Sequence, residues 1–131
     1  MFNTRKAHRP HLTRLEQIVM NYVWDHPRCT AEMCREGVAD QRELKDSTMR
    51  TILRNLEEKG YVGHEVDGRT FVYSPKETPR NVAVQAAQHL IERFCGGSVE
   101  DFLVGLVDNQ VLKPRQLQRL ADKIASRREK K

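Results

Sequence analysis

Residues 46–73 decide the fold, and they read DSTMRTILRNLEEKGYVGHEVDGRTFVY. The first half of this stretch predicts an amphipathic helix, because its apolar side chains recur at the i, i+3, i+4 and i+7 spacing: Met49, Ile52, Leu53 and Leu56. We expect this helix to start near Asp46, whose carboxylate can cap it. We expect it to end at Gly60, since glycine readily adopts the left-handed conformation that follows a helix.

Two β-rich runs follow the helix, over residues 61–66 and 69–73. Asp67-Gly68 lies between them, and this dipeptide is typical of a type I′ hairpin turn, which needs positive φ at both central residues. The sequence therefore predicts a helix followed directly by a β-hairpin.

Two shorter segments upstream predict two more helices. Thr13 and Glu16 form a capping-box pattern at the start of the first, and Pro27 ends it. Thr30 is the expected N-cap of the second, which ends near Gly37. The first helix has its apolar side chains at helical spacing: Leu12, Leu15, Val19, Tyr22 and Val23. Three helices followed by a hairpin, in this order, describe a winged helix-turn-helix.

In that fold the third helix packs its apolar stripe on the first two helices and exposes its opposite side. The exposed side here carries Ser47, Arg50, Thr51 and Arg54. Such side chains can donate hydrogen bonds to phosphates and base edges when the helix lies in the major groove of DNA. An ordinary solvated helix surface is the competing interpretation, and the hairpin directly after the helix favours DNA binding.

Three further helices are predicted beyond residue 76. Pro79 opens the first over residues 79–94, Ser98 caps the second, and Pro114 opens the third. The apolar stripes of these three short helices are more than the helices can bury among themselves, so we predict that a second copy covers them in a helical dimerisation segment. The residues expected in this interface are Val82, Leu90, Ile91, Phe94, Phe102, Leu103, Leu106, Leu117, Leu120 and Ile124.

The predicted fold class is thus mainly α with a small β-hairpin. We divide the chain into a basic arm (1–11), a winged-helix DNA-binding domain (12–76) and a helical dimerisation segment that ends in a basic tail (77–131). Residues 1–74 carry 12 Lys/Arg against 11 Asp/Glu, and residues 75–131 carry 11 against 7. Because most of the net charge of +5 lies outside the predicted DNA-reading helix, the DNA-binding hypothesis rests on local arrangement.

The sequence argues against several other classes. It holds no apolar run near the about 20 residues of a membrane span and no secretory signal at its start, so we expect a cytoplasmic protein without membrane contact. It also lacks GxSxG, HExxH, P-loop and GxGxxG motifs, so we expect neither an enzyme nor a cofactor. Cys29, Cys34 and Cys95 lack CxxC or CxC spacing; free thiols are favoured, with a redox or metal role as the alternative.

The sequence resembles the penicillinase-repressor (BlaI/MecI) family of winged-helix transcriptional repressors from about Leu12 to Ile124. Four segments carry the resemblance: residues 12–16 with Trp24, residues 47–56 with Lys59-Gly60, Gly68-Arg69 with residues 71–75, and Phe94-Cys95-Gly96-Gly97-Ser98. The resemblance implies a homodimer that binds a palindromic operator and blocks transcription of a resistance or signalling operon.

The resemblance also implies roles for individual residues. Ser47, Thr48, Arg50 and Thr51 are expected at or beside base edges. Phosphates are the expected partners of Arg54, Arg69, Lys45 and Thr30. Simple helix capping remains open for Thr30 and Thr48, and an ion pair with Glu57 or Glu58 remains open for Arg54.

Well-studied family members are inactivated when a membrane sensor-protease triggers cleavage of an Asn-Phe bond in the dimerisation segment. The corresponding residues 101–106 read DFLVGL and contain no such pair. Copper-responsive relatives end in a CxC motif, which is also absent. The resemblance implies a sensor-protease system as a partner, whereas the missing Asn-Phe pair argues against derepression by cleavage of that bond. The missing CxC motif argues against a copper or zinc switch, and the inducing signal stays open.

A winged helix that binds protein instead of DNA is the alternative function, since a fold does not fix a function. A protein-binding third helix would be expected to expose apolar residues. The hydrogen-bonding and cationic side chains found there favour DNA.

Overall fold

The computed structural model describes residues 10–129, so most of the predicted basic arm and the last two residues of the tail lie outside the described part. Within it the chain forms six helices and one hairpin: α1 (Arg14–Asp25), α2 (Ala31–Gly37), α3 (Asp46–Glu58), β1 (Val62–Asp67), β2 (Thr70–Pro75), α4 (Pro79–Phe94), α5 (Val99–Asp108) and α6 (Pro114–Glu129). This order confirms the mainly α prediction. None of the described helices is long and apolar enough to span a membrane.

Side-chain caps fix the starts of four helices. Thr13 Oγ1 accepts from the Glu16 N–H at 3.2 Å, and Glu16 Oε1 accepts from the Thr13 N–H at 2.8 Å, which completes the predicted capping box of α1. Thr30, Thr78 and Ser98 each accept from the backbone N–H three residues later at the starts of α2, α4 and α5. These starts agree with the sequence prediction.

Helix α3 begins where predicted but is not capped as predicted. Lys45 occupies its N-cap position and makes no side-chain capping bond. Asp46 is the first helical residue, and its Oδ1 lies 2.6 Å from Arg35 Nε on α2. The prediction that Asp46 caps the helix is therefore wrong, because Asp46 lies inside the helix and its carboxylate forms an ion pair with the guanidinium of Arg35.

A buried carboxylate joins α1 to the end of α3. Glu16 is 4% exposed, and its Oε1 lies 2.7 Å from Lys59 Nζ. Lys59 Nζ also donates to the His11 carbonyl at 3.1 Å. Burial alone would raise the pKa of the Glu16 carboxyl, but the bond and charge of Lys59 and the bonds from Thr13 lower it below its ordinary value.

The hairpin turn lies one residue later than predicted. Asp67 pairs with Thr70 as the last residue of β1, so Gly68 and Arg69 form the turn. Gly68 has a φ of 66°, whereas Arg69 is not among the described residues with positive φ. The predicted type I′ turn at Asp67-Gly68 is thus wrong; a glycine at the first central position, with positive φ there alone, is the requirement of a type II′ turn.

The core lies among α1, α2, α3 and the hairpin. All four residues of the predicted α3 stripe are buried in it. Cys29 extends the hairpin by a bridge to Tyr73, in which the backbone N–H of each residue donates to the carbonyl of the other, at 3.0 and 2.7 Å. The buried cluster consists of Val19, Met20, Val23, Cys29, Cys34, Val38, Met49, Ile52, Leu53, Leu56, Tyr61, Val62 and Tyr73.

The chain forms two compact units, one through Ala87 and one from Gln88. The first continues past the predicted domain boundary at residue 76, because Trp24 Nε1 donates to the Glu77 carbonyl at 2.8 Å and Val82 packs against the core cluster. The second contains the end of α4 together with α5 and α6. The functional division of the chain at residue 76 stays a prediction.

Candidate nucleic-acid interface

A groove in the first unit is lined by residues of α2, α3 and the hairpin. It brings together four of the predicted DNA contacts: Thr30, Arg50, Arg54 and Arg69. Thr30 precedes α2, Arg50 and Arg54 stand one turn apart on α3, and Arg69 lies in the hairpin turn. The remaining lining residues are Ala31, Glu32, Glu57, His64, Thr70, Phe71 and Tyr73.

The groove is electropositive at its rim. The guanidinium groups of Arg50, Arg54 and Arg69 are exposed. The groove also has two carboxylates, Glu32 and Glu57, and that of Glu57 is hydrogen-bonded to His64. The Tyr73 hydroxyl responds to these charges: burial and the Glu57 carboxylate raise its pKa above the ordinary value, while Arg50 and Arg54 act in the opposite direction. The charges of both arginines therefore reach the Tyr73 hydroxyl, although burial and Glu57 outweigh them there.

The other predicted contacts on α3 lie in two different settings. Ser47 and Thr51 are exposed, and Thr51 Oγ1 donates to the Ser47 carbonyl at 3.0 Å, which leaves the hydroxyl lone pairs of Thr51 as acceptors. Thr48 is half-buried. Lys45 is exposed but lines a separate depression with Arg35 and its neighbours, so the structure does not bring it into the groove.

A cluster that the sequence analysis missed connects α3 to the hairpin. His64 Nδ1 on β1 lies 2.7 and 2.9 Å from the two carboxylate oxygens of Glu57 on α3. The His64 ring stacks on Phe71 with centroids 4.0 Å apart and planes inclined by 11°. Strand alternation places His64, Phe71 and Tyr73 on one face of the hairpin, a signal that the sequence contained. Glu57 was considered only as a partner for Arg54.

The predicted dimerisation residues divide into three groups. Leu90, Phe94, Leu120 and Ile124 are exposed, with Phe94 at 71%. Ile91 is buried within the second unit, and Val82 packs on the core of the first. Phe102, Leu103, Leu106 and Leu117 are half-buried. Among the described residues from 77 onward, four further large apolar side chains are exposed but were not in the predicted set: Val84, Val99, Val104 and Val111.

The cysteines are free thiols, with Cys29 and Cys34 fully buried and Cys95 half-buried. Across residues 10–129, no three His, Cys, Asp or Glu side chains are grouped so as to hold a metal ion.

A winged helix-turn-helix with a cationic groove between its third helix and its hairpin defines a DNA-binding transcriptional regulator. The family model described as "Penicillinase repressor" matches residues 12–126, and the chain belongs to this family. It is therefore a transcriptional repressor of the winged-helix type and not an enzyme, as the sequence predicted.

The chain is similar to proteins from several bacteria. The penicillinase repressor of Bacillus licheniformis is 22% identical over 111 residues, which cover 85% of this chain and 87% of that one. The methicillin resistance regulatory protein MecI of Mammaliicoccus sciuri is 21% identical over 109 residues, 83% of this chain and 89% of that one. An uncharacterised 16.5 kDa protein of Latilactobacillus sakei is 28% identical over 109 residues, 83% and 75% of the two chains.

Two solved structures are similar to this one. The DNA-binding domain of the repressor BlaI has a TM-score of 0.50 and 26% identity, and covers 56% of this chain and 89% of that domain. The complex structure of hsRosR-S4 has a TM-score of 0.52 over 82% of this chain and 96% of that one. At 15% identity, the second likeness shows the fold alone.

Proposed function

We propose that this protein is a homodimeric repressor that binds a palindromic operator in double-stranded DNA sequence-specifically. The observation that carries the proposal is the groove, in which exposed cations from α3 and from the hairpin turn lie on one side of a packed core. With α3 in the major groove, the hairpin would meet the adjacent sugar-phosphate backbone.

The chemistry of each side chain supports a distinct role. Arg50 has the planar donor pair that reads guanine, and Ser47 and Thr51 offer hydroxyl oxygens to base edges beside it, with Thr48 next to them. Arg54 and Arg69 suit phosphates. The Thr30 hydroxyl accepts from the Met33 N–H at 3.1 Å, so its own proton is left to donate to a phosphate. Lys45 would reach a phosphate outside the groove.

Dimer formation is supported by the second unit. Its exposed apolar side chains include Leu90, Phe94, Leu120 and Ile124, and a second copy of the chain would cover them. A two-fold dimer presents two α3 helices to two half-sites, which explains why the operator should be palindromic.

The names of the relatives suggest the regulated genes. Penicillinase and methicillin resistance are controlled by proteins similar to this one, so we propose a resistance or signalling operon. We propose that the repressor acts in the cytoplasm, where that operon is transcribed, and that a sensor-protease system inactivates it. Cleavage within residues 101–106 would have to use a bond other than Asn-Phe.

Selection of bound DNA from a random library, with the purified full-length protein, tests the proposal. The selection is run at about 50 and 200 mM salt, because phosphate attraction alone falls steeply between them. A dyad-symmetric motif retained at both concentrations is the expected result. Binding without a motif that disappears at the higher concentration would contradict sequence-specific repression.

Two arginine variants separate the roles on the selected operator. Arg50→Ala should cost about 1–3 kcal/mol and relax the preference at one base pair. Arg54→Ala should weaken binding to all sequences alike and reduce the salt slope by about one. Arg42→Ala, which removes an exposed arginine outside the groove, is the matched control and should leave affinity within about twofold.

Binding of a protein partner by the winged helix is the second candidate. Val66 and Phe71 on the hairpin are 61% and 47% exposed, and such apolar side chains suit a protein interface. A library selection that yields no sequence preference would favour binding of a protein partner.

A further inference from the structure

Two thiols are buried together beneath the groove. Cys29 immediately precedes Thr30, and Cys34 lies on α2. Both side chains are fully buried, and their Sγ atoms are 3.5 Å apart, at hydrogen-bonding distance for thiols. The proposed function uses neither of them. Cys29 is held by its backbone bridge to Tyr73, and Cys34 is held by its position in α2.

We propose that Cys29 and Cys34 are an oxidation site at which a hydroperoxide forms a reversible intramolecular disulfide, and that the oxidised protein binds its operator more weakly. Formation of the disulfide concerns the thiols alone, and the weaker operator binding rests on the proposed function.

The reaction balances with the hydroperoxide as the only co-reactant. The Cys29 thiolate attacks the terminal peroxide oxygen, the O–O bond breaks, and an alcohol leaves after taking up the thiol proton, or water when the oxidant is hydrogen peroxide. Cys34 sulfur then attacks the resulting Cys29 sulfenic acid, and water leaves as the S–S bond forms. The two thiols lose two electrons, and the peroxide gains them.

The order of attack follows from the surroundings of the two sulfur atoms. The hydrogen bond with Cys34 lowers the pKa of Cys29, although burial opposes this effect. The same hydrogen bond and burial raise the pKa of Cys34. Cys29 also directly follows the exposed residues 26–28, whereas Cys34 lies within α2, so we assign Cys29 as the attacking thiol and Cys34 as the thiol that resolves the sulfenic acid.

Access to Cys29 requires a small local opening. Residues 26–28 are exposed, and Arg28 has a φ of 68°, which is strained for a residue with a side chain. Two backbone bonds to Tyr73 and an exposed ion pair between Arg28 and Glu65, at 3.2 Å, hold this segment to the hairpin. Opening also removes Cys29 from the buried cluster, but the rest of that cluster stays packed, so we expect it to occur without global unfolding.

Disulfide formation should deform the groove above the thiols. The Sγ atoms must approach from 3.5 Å to about 2.05 Å. Because protein interiors are close-packed, we expect part of this movement to pass to the backbone on either side of the two thiols. Cys29 is bonded to Thr30 in the chain and hydrogen-bonded to Tyr73, and both of these residues line the groove. The spacing between α2, α3 and the hairpin would change.

Peptide mapping of the oxidised full-length protein tests the disulfide. After hydrogen peroxide treatment and digestion with trypsin, cleavage after Arg28 and Arg35 releases both cysteines in one peptide, residues 29–35, whereas Cys95 lies in another. We expect peptide 29–35 to lose two hydrogen atoms and to regain them with dithiothreitol. Oxidation confined to Cys95 or to Met33 in the native protein would overturn the proposal. So would a disulfide that forms only in denaturant.

Operator affinity tests the weaker operator binding of the oxidised protein. The oxidised protein should bind about tenfold more weakly and recover with dithiothreitol; by reciprocity, operator DNA should disfavour the disulfide by the same factor. Cys95→Ser should behave like the wild type, and Cys29→Ala, which removes the attacking thiol, should bind DNA alike before and after peroxide. Equal operator affinity in both oxidation states would overturn the coupling. If no operator is selected at all, the proposed function fails, while the mass of peptide 29–35 still decides whether the disulfide forms.

Discussion

The two compact units differ in how far their apolar side chains are buried. The first buries thirteen residues in one cluster drawn from three helices and a hairpin. In the second, Ile91 is buried, whereas Phe94 and Val111 remain 71% and 68% exposed. The first unit therefore has its own source of stability, while the second presents apolar surface that a monomer leaves in water. Under the proposed function, we expect the first unit to supply the folding stability and the second unit to supply the contacts of the dimer.

The largest effect expected from this contrast is a loss of stability in the first unit. Leu53→Ala removes a fully buried side chain of α3 and should lower the free energy of unfolding by about 2–5 kcal/mol. The measurement is urea unfolding followed by fluorescence of Trp24, the single tryptophan, which lies in the first unit.

Leu120→Ala is the matched control, because it makes the same chemical change at a side chain that is 47% exposed. It should shift the Trp24 transition by less than about 1 kcal/mol. Equal losses for the two variants would mean that the second unit is as important as the first for folding, and the contrast would be lost.

The next effect is on association. Leu120→Asp combined with Ile124→Asp places two carboxylates on the exposed apolar side of α6, and should weaken the dimer by about 3 kcal/mol, or roughly a hundredfold. Sedimentation equilibrium of the full-length protein measures this change. Gln118→Asp with Ser126→Asp adds the same charge to polar positions of α6 and should leave the dimer intact. A double variant that remains dimeric would move the interface away from this helix.

Local patterns made most of the fold predictable. Apolar spacing identified α3, and Pro79 identified the start of α4. Hydroxyl side chains identified the starts of α1, α2 and α5, because a cap is satisfied by residues within three positions. Asp46 failed this rule because Arg35, eleven positions earlier, competes for its carboxylate. The hairpin turn was displaced by one residue because strand pairing extends through Asp67 and Thr70, which a dipeptide rule does not register.

Longer-range features of the site were less accessible from sequence. Arg50 and Arg54 followed from helical spacing, and Arg69 from the turn and the family resemblance. The pairing of Glu57 with His64 depends on how the hairpin packs against the last turn of α3, and nothing in the local sequence fixes that packing. Val82 was predicted in the dimer interface but packs against the core of the first unit. Its apolar character suits either position, and the local sequence does not decide between them.

A smaller effect concerns the connection between α3 and the hairpin. His64→Ala removes both the hydrogen bond to Glu57 and the stacking on Phe71, and should weaken operator binding by about 1–2 kcal/mol. Because α3 itself is unchanged, its base preferences should remain, and hydroxyl-radical protection should be lost only where the hairpin contacts DNA. His64→Phe retains the stacking and should be intermediate.

Glu65→Gln is the control for this variant, since Glu65 is on the same strand but its pair with Arg28 is exposed. It should bind the operator with nearly the wild-type affinity, because exposed ion pairs contribute little. If His64→Ala changes the base preferences of α3 or the mass of the dimer, the cluster does more than hold the hairpin.

The smallest effect is the pH dependence that Glu16 gives to the first unit. Its pKa is lower in the folded protein than the ordinary value of 4.5, so the unfolded chain binds the proton more tightly. The stabilisation is therefore complete above about pH 4.5 and is lost as the pH falls through the lower folded pKa.

Glu16→Gln keeps a capping-box side chain but removes the charge facing Lys59. Near pH 6 it should lower the free energy of unfolding by about 1 kcal/mol, and near pH 3 this difference should shrink. Urea unfolding at the two pH values measures it, with exposed Glu58→Gln as the control. A difference that is the same at both pH values would show that the amide disturbs packing, and that the charge of Glu16 does not stabilise the first unit.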